Sequence, residues 1–430
     1  MGQVVSLTHD GRGVVKIDGK VWFIDGAIPG ETISFIKTGR RKSYGLGRIE
    51  EVVTASPERV VPDCNYFGVC GGCSLQHIDV AAQLRLKEKL VIEQMSKIGG
   101  IDISDLRPPI ESPPWGYRRR ARLSVRLVPK KGGVLVGFRE KRKSYVTNLD
   151  LCMTLDRRVG GLLPSLQSLI SSFSIPDKVP QVEVAVGDRD VALVFRHLAA
   201  LDSRDLGYLT SYGRTHQVQC YLQPGGKESV WPYSPGQPPM LDYGLDNGNI
   251  KIQFSPTDFT QVNHTVNETM VSTALDELEL GAEDHVLDLF CGIGNFSLPT
   301  ASRVSRVLGV ENESALVDRA SRNASLNGLE NVQFERRDLY DETLSSWSPG
   351  IFNKMIIDPP RSGAHEVVMG LVPRLRPQRI VYVSCNPATL ARDSGTLINR
   401  TGYKLQSLRV IDMFPHTSHV EVLAVFDSGK

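Results

Sequence analysis

An α/β domain standing behind a small β-barrel and a central α+β segment is the architecture this sequence predicts. Three observations carry it. From about residue 255 onward, buried-strand runs alternate with helical segments, the pattern of an α/β fold. Over residues 1–56, short strand-like runs are separated by Gly and Asp turns, as in a small antiparallel barrel. Between these regions lie a cysteine cluster and an arginine-rich strand.

The chain has 430 residues, enough for two or three domains. Its apolar (41%) and charged (23%) fractions are those of an ordinary globular protein. Formal net charge is +2, so an anionic partner must be met by local basic patches. No apolar run approaches the length of a membrane span, and the start MGQVVSLTHDGRG has no signal-peptide pattern. A cytoplasmic protein is therefore expected, with no membrane contact and no obligate protein partner. Seven cysteines are unevenly placed, at 64, 70, 73, 152, 220, 291 and 385. In a reducing compartment a close cluster points to metal binding before disulfides.

In the barrel region the strand candidates are Val4–Leu7, Gly13–Ile17, Val21–Ile24 and Thr32–Ile36, turned by Gly11-Arg12-Gly13 and Asp18-Gly19. The run Lys37 to Lys42, beside Tyr44, suits a nucleic-acid backbone. A solvated charged loop is the commoner fate of one such run. Next comes Cys64-x5-Cys70-Gly71-Gly72-Cys73, whose glycines let backbone wrap closely around an inorganic centre. Four thiolates usually complete such a site. Cys152 is the best fourth candidate, because Cys291 and Cys385 sit in motifs of their own. All-thiolate ligation fits an iron–sulfur cluster or structural zinc, and spacing does not separate them.

Val80 to Ile98 reads as a helix with Val80, Leu84, Val91, Met95 and Ile98 on one stripe, ended by Gly99-Gly100. From Arg120 polar and apolar residues alternate, as in a strand with one basic face, and Arg118 to Arg126 contains no acidic residue. Such a row of arginines beside Tyr117 can grip phosphates. A second cationic cluster is Arg139 with Lys141-Arg142-Lys143. Residues 155–250 read as more α+β structure without chemistry, including strands at Val182–Val186 and Asp190–Phe195 and a Gly/Pro-rich loop from Pro224 to Pro239.

In the α/β region Asn267–Glu279 is helical, and the strand His285–Phe290 runs into Cys291-Gly292-Ile293-Gly294-Asn295-Phe296. Glycines at a strand-to-helix turn let backbone approach a ligand. The following strand ends at Glu311, placed to take ribose hydroxyls, and the next ends near Asp338, placed to accept from an adenine amino group. Met355-Ile356-Ile357 leads into Asp358-Pro359-Pro360-Arg361. Cys291 to Ser297 holds no lysine, so a nucleoside cofactor with little negative charge fits better than a triphosphate. Together these features point to S-adenosylmethionine. NAD is the competitor, but the third glycine of its fingerprint is missing.

The strand Val381–Val383 must stop before Pro387, which puts Cys385 at the carboxyl end of a strand, where α/β sheets bind ligands. A thiol there is either a nucleophile or a small inert core residue. A methyl donor and a thiolate make sense together on uracil. Thiolate addition to carbon 6 makes carbon 5 enolate-like and able to attack a sulfonium methyl; a base then removes the carbon-5 proton. The uracil must be held out of its stack. Glu421 is the base candidate, with His416 and His419 as alternatives.

The chain resembles the RNA uracil-C5 methyltransferases over almost its full length, most closely the branch acting on 23S ribosomal RNA. The matching motifs, in order, are Phe259-Thr260-Gln261-Val262-Asn263, Asp288 to Phe296, Asp358 to Gly363, Ser384-Cys385-Asn386-Pro387 and His419-Val420-Glu421. The resemblance implies a class I, Rossmann-like methyltransferase domain over 255–430, an OB-like barrel of the RNA-binding TRAM type over 1–56, and an α+β domain over 57–254, with 80–112 packing on the catalytic domain. It implies Cys385 as nucleophile and Glu421 as base. S-adenosylmethionine contacts are implied for Gln261, Phe290, Asn295, Glu311, Asp338 and Asp358. It also implies a [4Fe-4S] cluster on Cys64, Cys70, Cys73 and Cys152. The tRNA-specific branch lacks barrel and cluster, which favours ribosomal RNA as the partner. A tRNA substrate, since archaeal relatives with a cluster use one, and a non-catalytic RNA-binding assembly factor are the alternatives.

Overall fold

The computed structural model describes residues 1–233 and 239–429. Five of the residues read as a Gly/Pro-rich loop, 234–238, lie outside that set.

The N-terminal strands β1 (Gly2–Leu7), β2 (Gly13–Ile17), β3 (Lys20–Asp25), β4 (Thr32–Arg40) and β5 (Tyr44–Thr54) close into a barrel in the order β1-β2-β3-β5-β4. All pairs are antiparallel except β3 with β5. Alternate residues Val4, Val15, Trp22, Ile24 and Ile33 fill the interior. Strand β5 is absent from the sequence reading, because its pattern Y-G-L-G-R-I-E-E breaks apolar alternation. Its glycines have a packing reason: a Cβ on Gly45 would lie 2.3 Å from the Trp22 ring. Lys37 to Arg40 continue β4 rather than forming a loop, and Lys37 Nζ lies 5.2 Å from the centre of the Trp22 ring.

The cysteine-bearing segment leads to α1 (Val80–Gln94), whose first turn is capped by Asp79 accepting from the Ala82 N–H. Leu84, Val91 and Met95 are buried as the stripe predicts, but Ile98 is 50% exposed. The last turn, Met95–Gly99, is a π-turn; its extra residue rotates Gly99 inward in place of Ile98. A Cβ on Gly99 would lie 2.7 Å from the Ala391 carbonyl. Strand β6 (Leu106–Ile110) then joins the C-terminal sheet. Its two prolines occupy the outermost strand, where a missing N–H costs no ladder bond.

The central sheet contains β7 (Arg120–Val128), β8 (Gly133–Gly137), β9 (Gln181–Val186), β10 (Val191–Arg196), β11 (Gln219–Gln223) and β12 (Trp231–Pro232), in the order β12-β11-β10-β9-β7-β8. On β7, Ala121, Leu123 and Val125 are buried and the arginines face the other way. Here the structure supplies acidic partners for two of the arginines, while Arg118 and Arg120 donate to backbone carbonyls. Acidic partners come from β9 and the turn after it: Arg122 pairs with Glu183 at 3.1 Å and Arg119 with Asp188 at 2.5 Å. Local sequence cannot show partners supplied across a sheet. The second cationic cluster is also engaged, since Lys141 and Arg142 both pair with Asp25 of the barrel.

After a hairpin of β13 (Leu241–Leu245) and β14 (Ile250–Phe254) comes α2 (His264–Glu277). The C-terminal sheet then unfolds in sequence as β15 (His285–Leu289), β16 (Arg306–Glu311), α3 (Ser314–Leu326), β17 (Val332–Arg336), β18 (Lys354–Ile357), β19 (Arg379–Ser384), α4 (Pro387–Thr401), β20 (Tyr403–Ile411) and β21 (Glu421–Ser428). The order is β17-β16-β15-β18-β19-β21-β20-β6, all running the same way except β21, which is antiparallel to both its neighbours. Apolar clusters cover both faces, as a parallel sheet requires. The winding reverses between β15 and β18, so a crevice opens at their carboxyl ends. Among the described residues no helix is long and apolar enough to cross a membrane.

Candidate functional site

The crevice is a cleft of about 610 Å³, the size of a small-molecule site. Gln261, Phe290, Asn295, Glu311, Asp338, Asp358, Cys385 and Glu421 all line it. They arrive from different elements, because each sits at or just beyond the end of a strand or helix that the sheet points toward the cleft.

The turn after β15 is built by left-handed backbone at Phe290 (φ 66°), Gly292 (φ 56°) and Gly294 (φ 94°). Phe290 is the costly one, a bulky residue in a region that favours glycine. Glu311, at the end of β16, holds this turn. Its carboxylate accepts from the N–H groups of Gly292, Asn312 and Glu313 at 3.2, 2.7 and 2.9 Å. Asn295 is fixed by reciprocal amide bonds to Asn267, and the Tyr243 hydroxyl donates to its Oδ1 at 2.9 Å. Asp338 accepts from the Tyr340 N–H at 2.9 Å and remains exposed to the cleft.

The reactive end is acidic and poorly solvated. Glu421 is 5% exposed, and burial pushes its carboxyl up to about 7. Its Oε2 has no hydrogen-bond partner among the described residues. Asp358 is pushed well above the usual carboxylate range by burial, then by Glu421 and Asp288. The Cys385 thiol is raised by burial, then by the charges of Glu421 and Asp358, against the pull of Arg361. At rest it therefore favours the protonated form. Arg361 Nη2 donates to His419 Nδ1 at 2.9 Å, while Asn386 Nδ2 holds the Arg361 carbonyl at 2.8 Å. His419 lines the cleft; burial and then Arg361 lower it to about 4. His416, the other histidine considered as a base, is not among the lining residues and stacks on Trp115, ring centres 4.0 Å apart. It is turned away by left-handed backbone at φ 63°.

Sequence reasoning missed Tyr243, Asn267 and Tyr340, which steady the cleft. They lie in a hairpin, a helix and a loop whose local patterns carry no chemical signal.

Cys64, Cys70, Cys73 and Cys152 line a second cavity, with Trp115 and Phe138 among its walls. Burial first, then the other thiols, push Cys73 up to about 12; for Cys70, pushed up to about 11, burial again leads. The Cys152 N–H bonds the carbonyl of Gly160, the last residue of the short helix Arg157–Gly160, at 3.0 Å. As placed, no group of three or more His, Cys, Asp or Glu side chains among the described residues is set to hold a metal ion.

A doubly wound sheet with this turn, an acid ending the second strand and a cleft at the switch point defines a class I methyltransferase domain. Comparison with known proteins sharpens the class. A family model described as tRNA (Uracil-5-)-methyltransferase matches residues 244–427. A 23S rRNA (uracil(1939)-C(5))-methyltransferase RlmD of Alkalilimnicola ehrlichii is 49% identical, over 98% of this chain and 95% of that one. The RlmD of Nitrosococcus oceani is 50% identical, over 99% and 96%. The crystal structure of Pyrococcus abyssi tRNA (uracil-54, C5)-methyltransferase in complex with S-adenosyl-L-homocysteine shares the fold, with a TM-score of 0.75, 24% identity and 99% coverage of both chains. The chain belongs to the RNA uracil-C5 methyltransferase family.

Proposed function

We propose that this protein methylates carbon 5 of a uridine in 23S ribosomal RNA, with Cys385 as nucleophile and Glu421 as base. One observation carries the reading: a thiol, an unpartnered buried carboxylate and the glycine turn with its ribose-type acid share a single cleft. S-adenosylmethionine, the co-substrate, supplies an electrophilic methyl group. Glu311 takes its ribose, Asp338 its adenine, and Gln261, Phe290, Asn295 and Asp358 complete its seat.

Cys385 Sγ adds to carbon 6 of the flipped uracil, and the electron pair moves to carbon 5, which takes the methyl group as its bond to the sulfonium sulfur breaks and the thioether S-adenosylhomocysteine leaves. Glu421 then removes the carbon-5 proton, the double bond re-forms, and the Cys385–carbon bond breaks. A carboxyl near 7 is matched to that proton transfer at neutral pH. The thiol, held protonated at rest, must lose its proton as substrate binds, with the Arg361 guanidinium as the local cation favouring the thiolate.

The four cysteines of the second cavity fit a [4Fe-4S] cluster in donor type and number. They would hold it in a structural role, since the methyl transfer involves no net oxidation or reduction. Convergence of four thiols on one cavity, away from the reacting cleft, supports this reading. Anaerobically purified protein should contain iron and acid-labile sulfide; colourless protein with stoichiometric zinc would contradict it. The barrel (1–56) and the central domain (57–254) would hold the RNA against the catalytic domain (255–430), in the cytoplasm where ribosomes are assembled. The deciding experiment maps 5-methyluridine in ribosomal RNA and tRNA from cells with and without the protein. The modification should vanish from one 23S position and return with purified protein; loss only from tRNA, or no loss, would overturn the proposal.

A further inference from the structure

The segment that delivers Glu421 to the cleft is held mainly from outside its own sheet. Asp412 to Val420 joins β20 to β21, and the contacts of its Asp412–Ser418 part come largely from the N-terminal half of the chain. The Gln83 side chain of α1 reads His416 twice: Oε1 accepts from the His416 N–H at 2.9 Å, and Nε2 donates to Nδ1 at 3.2 Å. The His416 carbonyl accepts from the N–H groups of Ser74 and Leu75, both at 2.9 Å, next to Cys73. Ser418 N–H donates to Ser74 Oγ at 3.1 Å. The Tyr117 hydroxyl donates to the Pro415 carbonyl at 2.9 Å, and Lys87 Nζ to the Phe414 carbonyl at 3.0 Å. Gln83, Leu75, Lys87, Tyr117 and His416 are buried, and Ser74, Phe414 and Ser418 half-buried, so the bonds at His416 are geometrically demanding. Two residues past Phe414 the backbone turns left-handed at His416, and five residues past His416 stands Glu421.

We propose that Gln83 and Tyr117 are positioning residues for the base: through the His416 clamp they fix Glu421 over the substrate's carbon 5, so the cysteine-bearing segment and α1 set the geometry of proton removal. The inference rests on the reading of Glu421 as the base. Gln83, Tyr117 and His416 lie outside the cleft lining, whereas Phe414, at the start of the clamped segment, and Glu421, after it, line the cleft. Loosening the clamp by about an ångström is enough to slow one step roughly a hundredfold.

The test separates steps. Full-length protein, with its cysteine centre as isolated, is mixed with unmodified 23S ribosomal RNA transcript and methyl-labelled S-adenosylmethionine. When the carbon-5 proton cannot leave, the methylated base stays bonded to Cys385, so protein–RNA adduct accumulates on denaturing gels. Glu421→Gln should trap this adduct. Gln83→Met and Tyr117→Phe, which keep volume and delete the bonds, should also trap it, with kcat reduced roughly 10–100-fold and the KM for S-adenosylmethionine unchanged. Unaltered kcat in both variants would overturn the proposal. So would parallel loss of adduct and turnover, the sign of general unfolding. If Glu421→Gln itself traps nothing, the base assignment fails and the positioning role falls with it.

Discussion

Replacing Glu421 by Gln should stabilise the free protein, and the gain should appear only as the pH rises. The carboxyl is held at about 7 in the fold against an ordinary 4.5, because burial opposes its charge. That difference, about 2.5 pH units at 1.36 kcal/mol each, amounts to about 3 kcal/mol. The sign follows from proton counting. Between pH 4.5 and 7 the folded chain keeps a proton that the unfolded chain has lost, so stability falls as pH rises through that window. Above pH 7 the full cost is present. Glutamine has no proton to lose and imitates the neutral acid. The variant and the parent should therefore unfold alike near pH 4.5 and diverge by up to about 3 kcal/mol by pH 8. Asp358, raised partly by Glu421, titrates with it and will also ease when that charge is removed. Urea unfolding followed by circular dichroism at several pH values measures the difference directly. A gap that does not grow between pH 5 and 8, or a variant less stable at pH 8, would refute the burial argument.

Other perturbations follow from the same geometry. Glu311→Gln weakens three charge-assisted bonds, one to Gly292 of the turn and two to Asn312 and Glu313; with the proposed ribose role, S-adenosylmethionine should bind roughly 10–100-fold more weakly by calorimetry. Lys87 and Asp412 form a pair at 2.6 Å that is only 3–4% exposed, so Lys87→Met should cost about 3–5 kcal/mol in denaturant unfolding. Lys87→Met with Asp412→Leu should recover most of that loss. Gly45→Ala places a methyl against the Trp22 ring and should destabilise the barrel by about 1–3 kcal/mol, read as an earlier tryptophan-fluorescence transition.

What sequence could and could not show divides along physical lines. The ends of β15, β16, β18 and β19 were legible because a continuous apolar run followed by Gly, Pro or an acid is a local pattern. Strand ends face the crevice, which is how local pattern placed Glu311, Asp338, Asp358, Cys385 and Glu421; Gln261, Phe290 and Asn295 came from the family resemblance, and all eight line one cleft. β5 escaped notice because its charged and glycine residues hide the period-2 pattern, and β20 because a register shift between Leu405 and Ser407 breaks it; pairing with neighbours makes both strands. Ile98 was misplaced by one π-turn, a departure of a single residue that no stripe records. Arg119 and Arg122 looked unpartnered because Asp188 and Glu183 lie 69 and 61 residues away and meet them only in the folded sheet. The His416 clamp was invisible for the same reason: Gln83 and His416 are 333 positions apart.

The central claim is that Cys385 bonds transiently to the pyrimidine. RNA carrying 5-fluorouridine tests it, because fluorine at carbon 5 cannot be removed as a proton and the adduct cannot resolve. The parent protein should give a covalent protein–RNA species stable to denaturation, mapping to Cys385 by mass spectrometry. Cys385→Ala, with S-adenosylmethionine still bound, should give none and no methyl transfer. An adduct on another residue, or turnover by Cys385→Ala, would contradict the account.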